Sequence, residues 1–425
     1  MKQDWEYGIL DDAVNKGSSN ISINKIKGDD GDYPVYGAKG FVQNVSFYQQ
    51  EFEYLGIIKD GAGIGRVSMH PNKSSILATM QYILPKEGFD IQFLKYFLSY
   101  VDFENYRTGS TIPHIYYKDY KKEPFPLVSL PEQKRIVATL EKAFTAIDQA
   151  KGNVEHNLQN ADELFESLLF DSFQGKLSNP LSRENPEFQE LDAKSDFNSL
   201  LNKIKVINRK PQREEKTIGH ETITDVIPHE WQVTSISSIF RIIDYRGKTP
   251  VKSEQGKRLI SAKNIRKRSL RETPIEYVSD EVYKTWMVRG FPLPNDIFFV
   301  TEGHTMGFAA LNNRTDSFAL AQRTITLQPA VPFSTQFFFY YIISRHFQEL
   351  IKLNATGAAA VGIKASKFKS LPLPFPSFAE QNYIANILQS AGEYSSQVRS
   401  KYQKELTSLD ELKKSILQKA FNGEL

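Results

Sequence analysis

The chain contains no cysteine among its 425 residues. This excludes disulfide bridges, thiolate zinc sites and cysteine nucleophiles, and it favours a reducing compartment. No apolar run is long enough to cross a membrane, and the opening residues MKQDWEYGIL lack the apolar core of a signal peptide. We therefore expect a soluble cytoplasmic protein.

Motifs that carry catalysis are also scarce. The seven His show no metal-ligand spacing, and there is no Walker A sequence. The segment from Asp60 to Gly65 (DGAGIG) looks like a nucleotide-binding glycine loop, but such a loop follows a strand and opens a helix. Here RVSM and the turn at His70-Pro71-Asn72 follow, which predicts a hairpin with glycines at positive φ. We predict no catalytic residue and no metal site, with a nucleotide- or adenosylmethionine-binding enzyme as one alternative.

The overall charge is close to balanced, since the formal net charge is only +3. Local clustering is more informative, because residues 257–271 (KRLISAKNIRKRSLR) hold seven cations and no acid. Such a stretch attracts phosphates unless acids neutralise it in space. A solvated loop is the other interpretation.

What the sequence does contain is one long segment twice. Residues 108–177 return as residues 356–425 without a gap, and 22 of these 70 positions are identical. A duplicated chain favours two halves related by a pseudo-two-fold axis. Duplex DNA is a common partner for an object of that symmetry.

Each copy changes character partway along. The first parts, 108–130 and 356–378, are rich in proline and aromatic residues and are predicted to be loops. A long helix of about 42 residues, about 63 Å, is then predicted within 131–177 and within 379–425, with Gly175 and Gly423 as the stops. In the first copy, apolar residues occupy most positions of five heptads. These positions are Val137, Phe144, Lys151, Leu158 and Phe165, together with Leu140, Ile147, Val154, Ala161 and Leu168.

Two such helices in one chain are expected to pair, and we predict an antiparallel arrangement with the preceding regions at opposite ends of a rod. Lys151 and Arg399 occupy equivalent positions in the seam. A polar residue there can fix the register at a cost in stability. Alternatively, both stems extend out of the seam toward water.

The predicted fold is therefore α+β, with two α/β regions separated by an antiparallel coiled-coil pair of long helices. The regions before the repeats resemble one another only loosely, which suggests one scaffold carrying two different readers. A connector at 178–226 is predicted to contain a short helix around 188–205. The predicted domains are 1–130, 131–177, 178–226, 227–378 and 379–425.

Taken together, these features resemble the specificity subunit of a type I restriction–modification system, over essentially the whole chain. The resemblance depends on a duplicated Thr-Gly, Pro-x-Pro, Glu-Gln and a long helix ending in Phe-x-Gly-x-Leu. Further similar segments support it. They are Tyr33–Gly40, Leu200–Lys205 followed by Arg209-Lys210, and Ile227–Trp231.

The resemblance implies two target-recognition domains, each reading one half of a split site in double-stranded DNA. It also implies that the helices bind two modification subunits, which are adenine-N6 methyltransferases, and that restriction subunits join them. The chain itself would be non-catalytic and would hold no cofactor, because S-adenosylmethionine, ATP and Mg²⁺ are bound by the partner subunits. A coiled-coil adaptor whose two heads bind proteins is the remaining alternative.

Candidate DNA-binding residues are side chains suited to phosphate or base contacts and the two Thr-Gly turns. In the first domain they are Lys39, Lys59, Arg66, Gln81, Arg107, Thr108, Gly109 and Lys118. In the second they are Arg246, Lys248, Lys263, Asn264, Arg266, Arg268, Gln322, Arg323, Thr356, Gly357 and Lys364. Candidate partner-binding residues lie on the long helices; they are Leu164, Leu168, Phe173, Leu412, Leu417 and Phe421.

Overall fold

The computed structural model describes residues 5–177, 193–207, 226–228, 230–247, 249–331, 333–357 and 361–425. The chain forms two compact units, one of Met1–Asn157 with Lys401–Leu425 and the other of Leu158–Ser400. Each unit contains one recognition region and a stretch of both long helices. Most of the predicted connector lies outside the described residues. Its described part includes the helix Ala193–Ile207.

Nine strands lie in the described part of the first unit. They are β1 Tyr7–Ile9, β2 Val14–Ser18, β3 Tyr33–Gly37, β4 Gly40–Val45, β5 Tyr54–Ile58, β6 Val67–His70, β7 Ser75–Ile76, β8 Met80–Pro85 and β9 Pro124–Pro126. They form an antiparallel sheet in the order β2-β8-β5-β6, a sheet β4-β3-β7 and a β1-β9 ribbon. Its short helices are Leu10–Ala13, Ile23–Ile26, Ile91–Tyr100, Tyr117–Tyr120 and the 3-10 helix Phe103–Tyr106.

The core of this unit follows from the pattern of its strands. Strand β5 is buried at every position, which fits its apolar sequence YLGII. The helix Ile91–Tyr100 packs on the sheet through Phe93 and Phe97, and the Asp90 carboxylate caps it by accepting from the Phe93 N–H at 2.9 Å. The long helices complete this core.

The second unit repeats this topology with unrelated side chains. Its strands are β10 Gln232–Ser235, β11 Phe240–Asp244, β12 Lys257–Ile260, β13 Ile265–Arg266, β14 Ser269–Leu270, β15 Tyr277–Val278, β16 Ile297–Val300, β17 Ala309–Leu311, β18 Phe318–Leu320, β19 Thr324–Pro329 and β20 Pro372–Phe375. The order β11-β19-β16-β17 corresponds to β2-β8-β5-β6, and β15-β12-β18 corresponds to β4-β3-β7. A β13-β14 hairpin is added. Its short helices are Ile236–Ile239, Asp280–Trp286, Thr335–Ile343, Arg345–Asn354 and Ala365–Lys369.

The two long helices run Leu130–Phe173 and Phe378–Phe421. They begin one residue before the predicted starts and end two residues before Gly175 and Gly423, the predicted stops. Both glycines adopt positive φ, 76° and 75°, just beyond the last helical turn. The duplicated glycine therefore stops each helix.

Facing stretches of the long helices run antiparallel in each unit. In the first unit, Lys151 Nζ lies 2.7 Å from Asp410 Oδ1, and Lys413 Nζ lies 3.0 Å from Asp148 Oδ1. In the second, Arg399 pairs with Asp162. In the repeat, Lys151 corresponds to Arg399 and Asp162 corresponds to Asp410. The same ion pair therefore occurs once in each unit. Both seam cations thus contact an acid on the facing helix, and both side chains remain partly exposed. Exposed pairs are worth only about 0.2–1 kcal/mol, so these contacts add little to stability.

The Pro-x-Pro segments are strands, and the prediction of loops there was wrong. Strand β9 pairs with β1, and β20 pairs with β10. Proline is compatible with these two-stranded ribbons because an edge strand has N–H groups that need no ladder partner. The prolines exclude helix in these short segments but are compatible with the extended pairing that the structure shows.

The repeated Glu-Gln has a structural role. The buried Gln133 side chain accepts from the Asp90 N–H at 2.8 Å and donates to the Val128 carbonyl at 2.8 Å. In the second unit, the buried Gln381 donates to the Pro376 carbonyl at 2.9 Å. Each glutamine therefore ties the start of its long helix to the backbone just before it.

Candidate nucleic-acid interface

A glycine-rich turn, residues 60–65, connects strands β5 and β6 in the first unit. The Gly65 N–H donates to the Ile58 carbonyl at 2.9 Å, which closes a hairpin. Gly61, Gly63 and Gly65 have φ of +93°, +99° and +79°. A side chain on Gly65 would lie 2.4 Å from Phe103, so close packing requires glycine there as well. The predicted hairpin is confirmed, and the nucleotide-binding alternative loses its basis because a strand, not a helix, follows the turn.

A second loop, the Thr-Gly loop of residues 108–114, lies against this turn. Two hydrogen bonds close it: the Thr108 N–H donates to the His114 carbonyl (2.9 Å), and the His114 N–H donates to the Thr108 carbonyl (2.8 Å). The Gly61 N–H then donates to the Pro113 carbonyl at 2.9 Å. His114 Nδ1 also lies 2.7 Å from Asp60 Oδ1. The two loops therefore form one surface.

The second unit contains the same pair of loops. Its glycine-rich turn, residues 302–307, connects β16 and β17, and the described residues of its Thr-Gly loop are 356–357 and 361–362. The Gly307 N–H donates to the Val300 carbonyl at 2.9 Å. Thr356 and Gly362 exchange N–H···O bonds of 2.9 and 3.0 Å, and the Gly303 N–H donates to the Val361 carbonyl at 2.9 Å. We call each combination of turn and loop the paired loops.

Cations border the paired loops of the first unit. Lys39, Arg66, Arg107 and Lys118 are exposed, and Lys59 is partly exposed. The Arg66 guanidinium donates to the Ala38 carbonyl at 2.6 Å, which joins the glycine-rich turn to the turn between β3 and β4. Lys118 lies over the exposed Tyr116 ring, 5.5 Å from its centroid. Arg107 pairs with Glu104 at 3.1 Å and is partly neutralised. Thr108 and Gly109 are exposed on the loop itself.

Fewer of the second unit's candidates lie beside its paired loops. Arg323 is exposed and its Nε lies 3.3 Å from Glu302 of the glycine-rich turn. Thr356, Gly357 and Lys364 are exposed on or just after the Thr-Gly loop, and Gln322 is partly exposed next to Arg323.

Arg246 of the second unit is committed to Asp244, which its guanidinium contacts at 2.8 and 2.9 Å. Burial alone would raise the pKa of Asp244, but the hydrogen bonds and charge of Arg246 outweigh it and hold the pKa below its ordinary value. Lys263 is exposed with Glu276 at 3.6 Å, and Arg266 is partly exposed. Lys248 lies outside the described residues.

Three of the DNA-binding predictions need correction. Gln81 and Asn264 are buried, with their amides bonded to the backbone: Gln81 donates to the Gly17 carbonyl, and Asn264 donates to Arg271 and Pro274 carbonyls at 3.1 and 3.0 Å. Arg268 packs over the Phe165 ring of the first long helix, 4.3 Å from its centroid. A buried amide has no free edge for a base, and Arg268 instead holds its recognition region against the helix.

The basic stretch is neutralised more than its sequence suggested. Arg258 is buried and donates to the Glu272 carbonyl. Lys267 lies 2.7 Å from Glu166 of the first long helix, and Arg268 lies 3.9 Å from Asp162. Acids distant in sequence therefore offset two of these charges, those of Lys267 and Arg268.

The helix residues predicted to bind partners divide into two groups. Leu164 and Leu412 are 69% and 47% exposed, and they occupy equivalent positions in the repeat. Leu168 is only partly buried. The prediction was wrong for the other three, because their side chains fill the cores of their own units. These three are Phe173, Leu417 and Phe421.

Sequence reasoning found both kinds of loop but missed that they form one surface. The available signal was that each recognition region has a glycine-rich turn after a buried strand and, later, a Thr-Gly. Among the described residues, no cluster of His, Asp and Glu has the makings of a metal site. No helix in the described part of the chain is both long and apolar enough to span a bilayer.

The model of the type I restriction modification DNA specificity domain matches residues 2–156 and again residues 228–408. The chain belongs to this specificity-domain family. Each match covers one recognition region with its neighbouring helix, so the family's domain is present twice.

Two specificity subunits of type I restriction enzymes from Escherichia coli are similar to this member of the family. EcoDI is 32% identical over 101 residues, which is 24% of this chain and 22% of that protein. EcoBI is 22% identical over 335 residues, or 77% of this chain and 64% of that protein. The matches thus span less than two thirds of either relative.

A solved chain from a study of complex assembly in a type I restriction–modification system shares the fold of this specificity-domain protein. It has a TM-score of 0.66 and 13% identity, and the alignment covers 100% of this chain and 99% of that one. At this identity the similarity concerns the fold alone.

Proposed function

We propose that this chain is the specificity subunit of a type I restriction–modification system. Each of its two recognition regions reads one half of a split sequence in double-stranded DNA. The main support for this proposal is that the model of the DNA specificity domain matches the chain twice, once over each recognition region. The shared strand order supports it, since two regions of one topology with different surface side chains suit two different half-sites.

Selection from a random duplex library tests this proposal. The full chain, incubated with randomised duplexes, is expected to enrich two short fixed segments separated by a spacer of constant length and variable sequence. Each recognition region can specify only the bases that it contacts, so the base sequence of the spacer between them is not selected. A single uninterrupted motif, or no enrichment at all, would count against the proposal.

Partner binding belongs to the same proposal. The exposed Leu164 and Leu412 mark equivalent helix surfaces, one in each unit. Equivalent surfaces suit two copies of one partner, which we propose to be the adenine-N6 methyltransferase subunit, with restriction subunits joining that complex. An exposed leucine beside an interhelical ion pair offers an apolar centre with a polar rim, as protein interfaces do.

The chemistry is proposed to reside in those partners. S-adenosylmethionine would be bound by the methyltransferase, and ATP and Mg²⁺ by the partner subunits, while this chain supplies recognition and spacing without catalysis. The proposed compartment is the cytoplasm. The hairpin context of the glycine-rich turn supports this division, because the turn lacks the helix N-terminus that nucleotide-binding loops use.

A further inference from the structure

We infer that the paired loops of each unit bind phosphates of the DNA backbone and hold the duplex without reading its sequence. This inference rests on the proposed function and adds a division of labour within each recognition region. The paired loops would supply affinity and position, and side chains elsewhere would supply specificity.

The paired loops present amide donors to the surface. In the described part of the chain, the N–H groups of Ala62, Gly63 and Gly109 have no protein acceptor. The N–H groups of His304, Thr305 and Gly357, at the corresponding places of the second unit, likewise lack one among the described residues. Successive exposed amides in turns with positive φ form concavities that bind anions. Such a surface suits a phosphate oxygen.

A guanidinium lies beside the glycine-rich turn in both units, although it comes from different places in the chain. Arg66 lies 3.4 Å from the point where a Gly63 side chain would begin, and Arg323 lies 3.8 Å from the same point of Gly303. Arg66 follows its turn directly, whereas Arg323 precedes strand β19. Gly303 corresponds to Gly61, so the two guanidinium groups lie at different positions of their turns, but each turn has one cation close to one of its glycines.

Each glycine-rich turn also carries one carboxylate, Asp60 or Glu302, which would repel a phosphate. His114 contacts the first at 2.7 Å, and Arg323 contacts the second at 3.3 Å. Both carboxylates remain about one third to one half exposed. Their negative charges therefore weaken the attraction of the paired loops for an anion, and removal of either charge should strengthen it.

Recurrence separates phosphate binding from base reading. The two units share the hydrogen bonds of the paired loops while their other surface side chains differ. Two regions that read different half-sites must differ in their base contacts, but both must bind the same sugar–phosphate backbone. The shared feature is therefore assigned to the backbone.

Neutralising the carboxylates tests this assignment in the full chain. Asp60→Asn and Glu302→Gln are each expected to raise affinity about two- to fivefold, the size of one surface charge interaction. The factor should be equal for the selected duplex and for a scrambled duplex. Arg323→Gln should weaken both equally and lower the slope of log affinity against log salt by about 1. Glu155→Gln and Lys142→Gln, on an exposed face of the first long helix, are the matched controls and should change neither.

Two results would overturn the inference. If the carboxylate variants weaken binding only to the selected duplex, these groups accept from a base and the loops read sequence. If affinity for both duplexes is unchanged, the loops lie away from the DNA. Thermal unfolding of each variant checks the fold, and the two units provide independent tests. Failure of the unmodified chain to bind any duplex would instead count against the proposed function.

Discussion

Phe421→Ala is expected to lower the free energy of unfolding by about 3–5 kcal/mol, the range for removing a buried aromatic side chain. Phe421 is only 3% exposed. Its ring centroid lies 5.3 Å from those of Phe93 and Phe97 and 5.5 Å from that of Tyr100. The substitution would leave a cavity where the second long helix joins the first unit's core. Urea denaturation followed by circular dichroism measures the effect.

Leu412→Ala is the matched control, nine residues earlier on the same helix. Leu412 is 47% exposed, so its truncation should change the free energy of unfolding by no more than about 0.5 kcal/mol. Equal losses for the two variants would contradict the assignment of Phe421 to the core and of Leu412 to the surface.

The combination of Leu164→Asp and Leu412→Asp is expected to abolish assembly with the methyltransferase subunit. Loss of an anchoring side chain at the centre of an interface costs about 2 kcal/mol or more, about 30-fold, and burial of a charge there adds to that cost. The stability of the chain should change little, because both side chains are exposed. Analytical ultracentrifugation of the mixed subunits should then show this chain free.

The single variants make this prediction quantitative. Leu164→Asp alone and Leu412→Asp alone should each leave one methyltransferase copy bound, because the surfaces are equivalent but separate in sequence. Lys142→Asp, which places the same charge on another exposed helix position, should leave two copies bound. Full assembly by the double variant would show that the partner binds another surface.

Features fixed by local pattern could be predicted from the sequence. The long helices follow from apolar residues repeating every seven positions and from a glycine after each end. The hairpin at residues 60–65 could be predicted because RVSM and a turn, not a helix, come after its glycines. In both cases neighbours within a few turns of the chain determine the conformation.

Features that depend on distant neighbours could not be predicted. Gln81 sits in an apolar strand, and only the pairing of β2 with β8 brings the Gly17 carbonyl to its amide. The cations of residues 257–271 seemed free because their acids, Asp162 and Glu166, lie on a helix about 100 residues away. Leu417 and Phe421 lie on the same face of the second long helix. Nothing in the neighbouring sequence indicates that this face packs against the core of the first unit.

Exchange of one recognition region tests the central claim most directly. Residues 1–107 would be replaced by the corresponding region of another family member, and the bound sequence of the hybrid would be determined by selection from random duplexes. We predict that one segment changes while the other segment is retained. Change in both segments, or in neither, would contradict the account of one reader for each half-site.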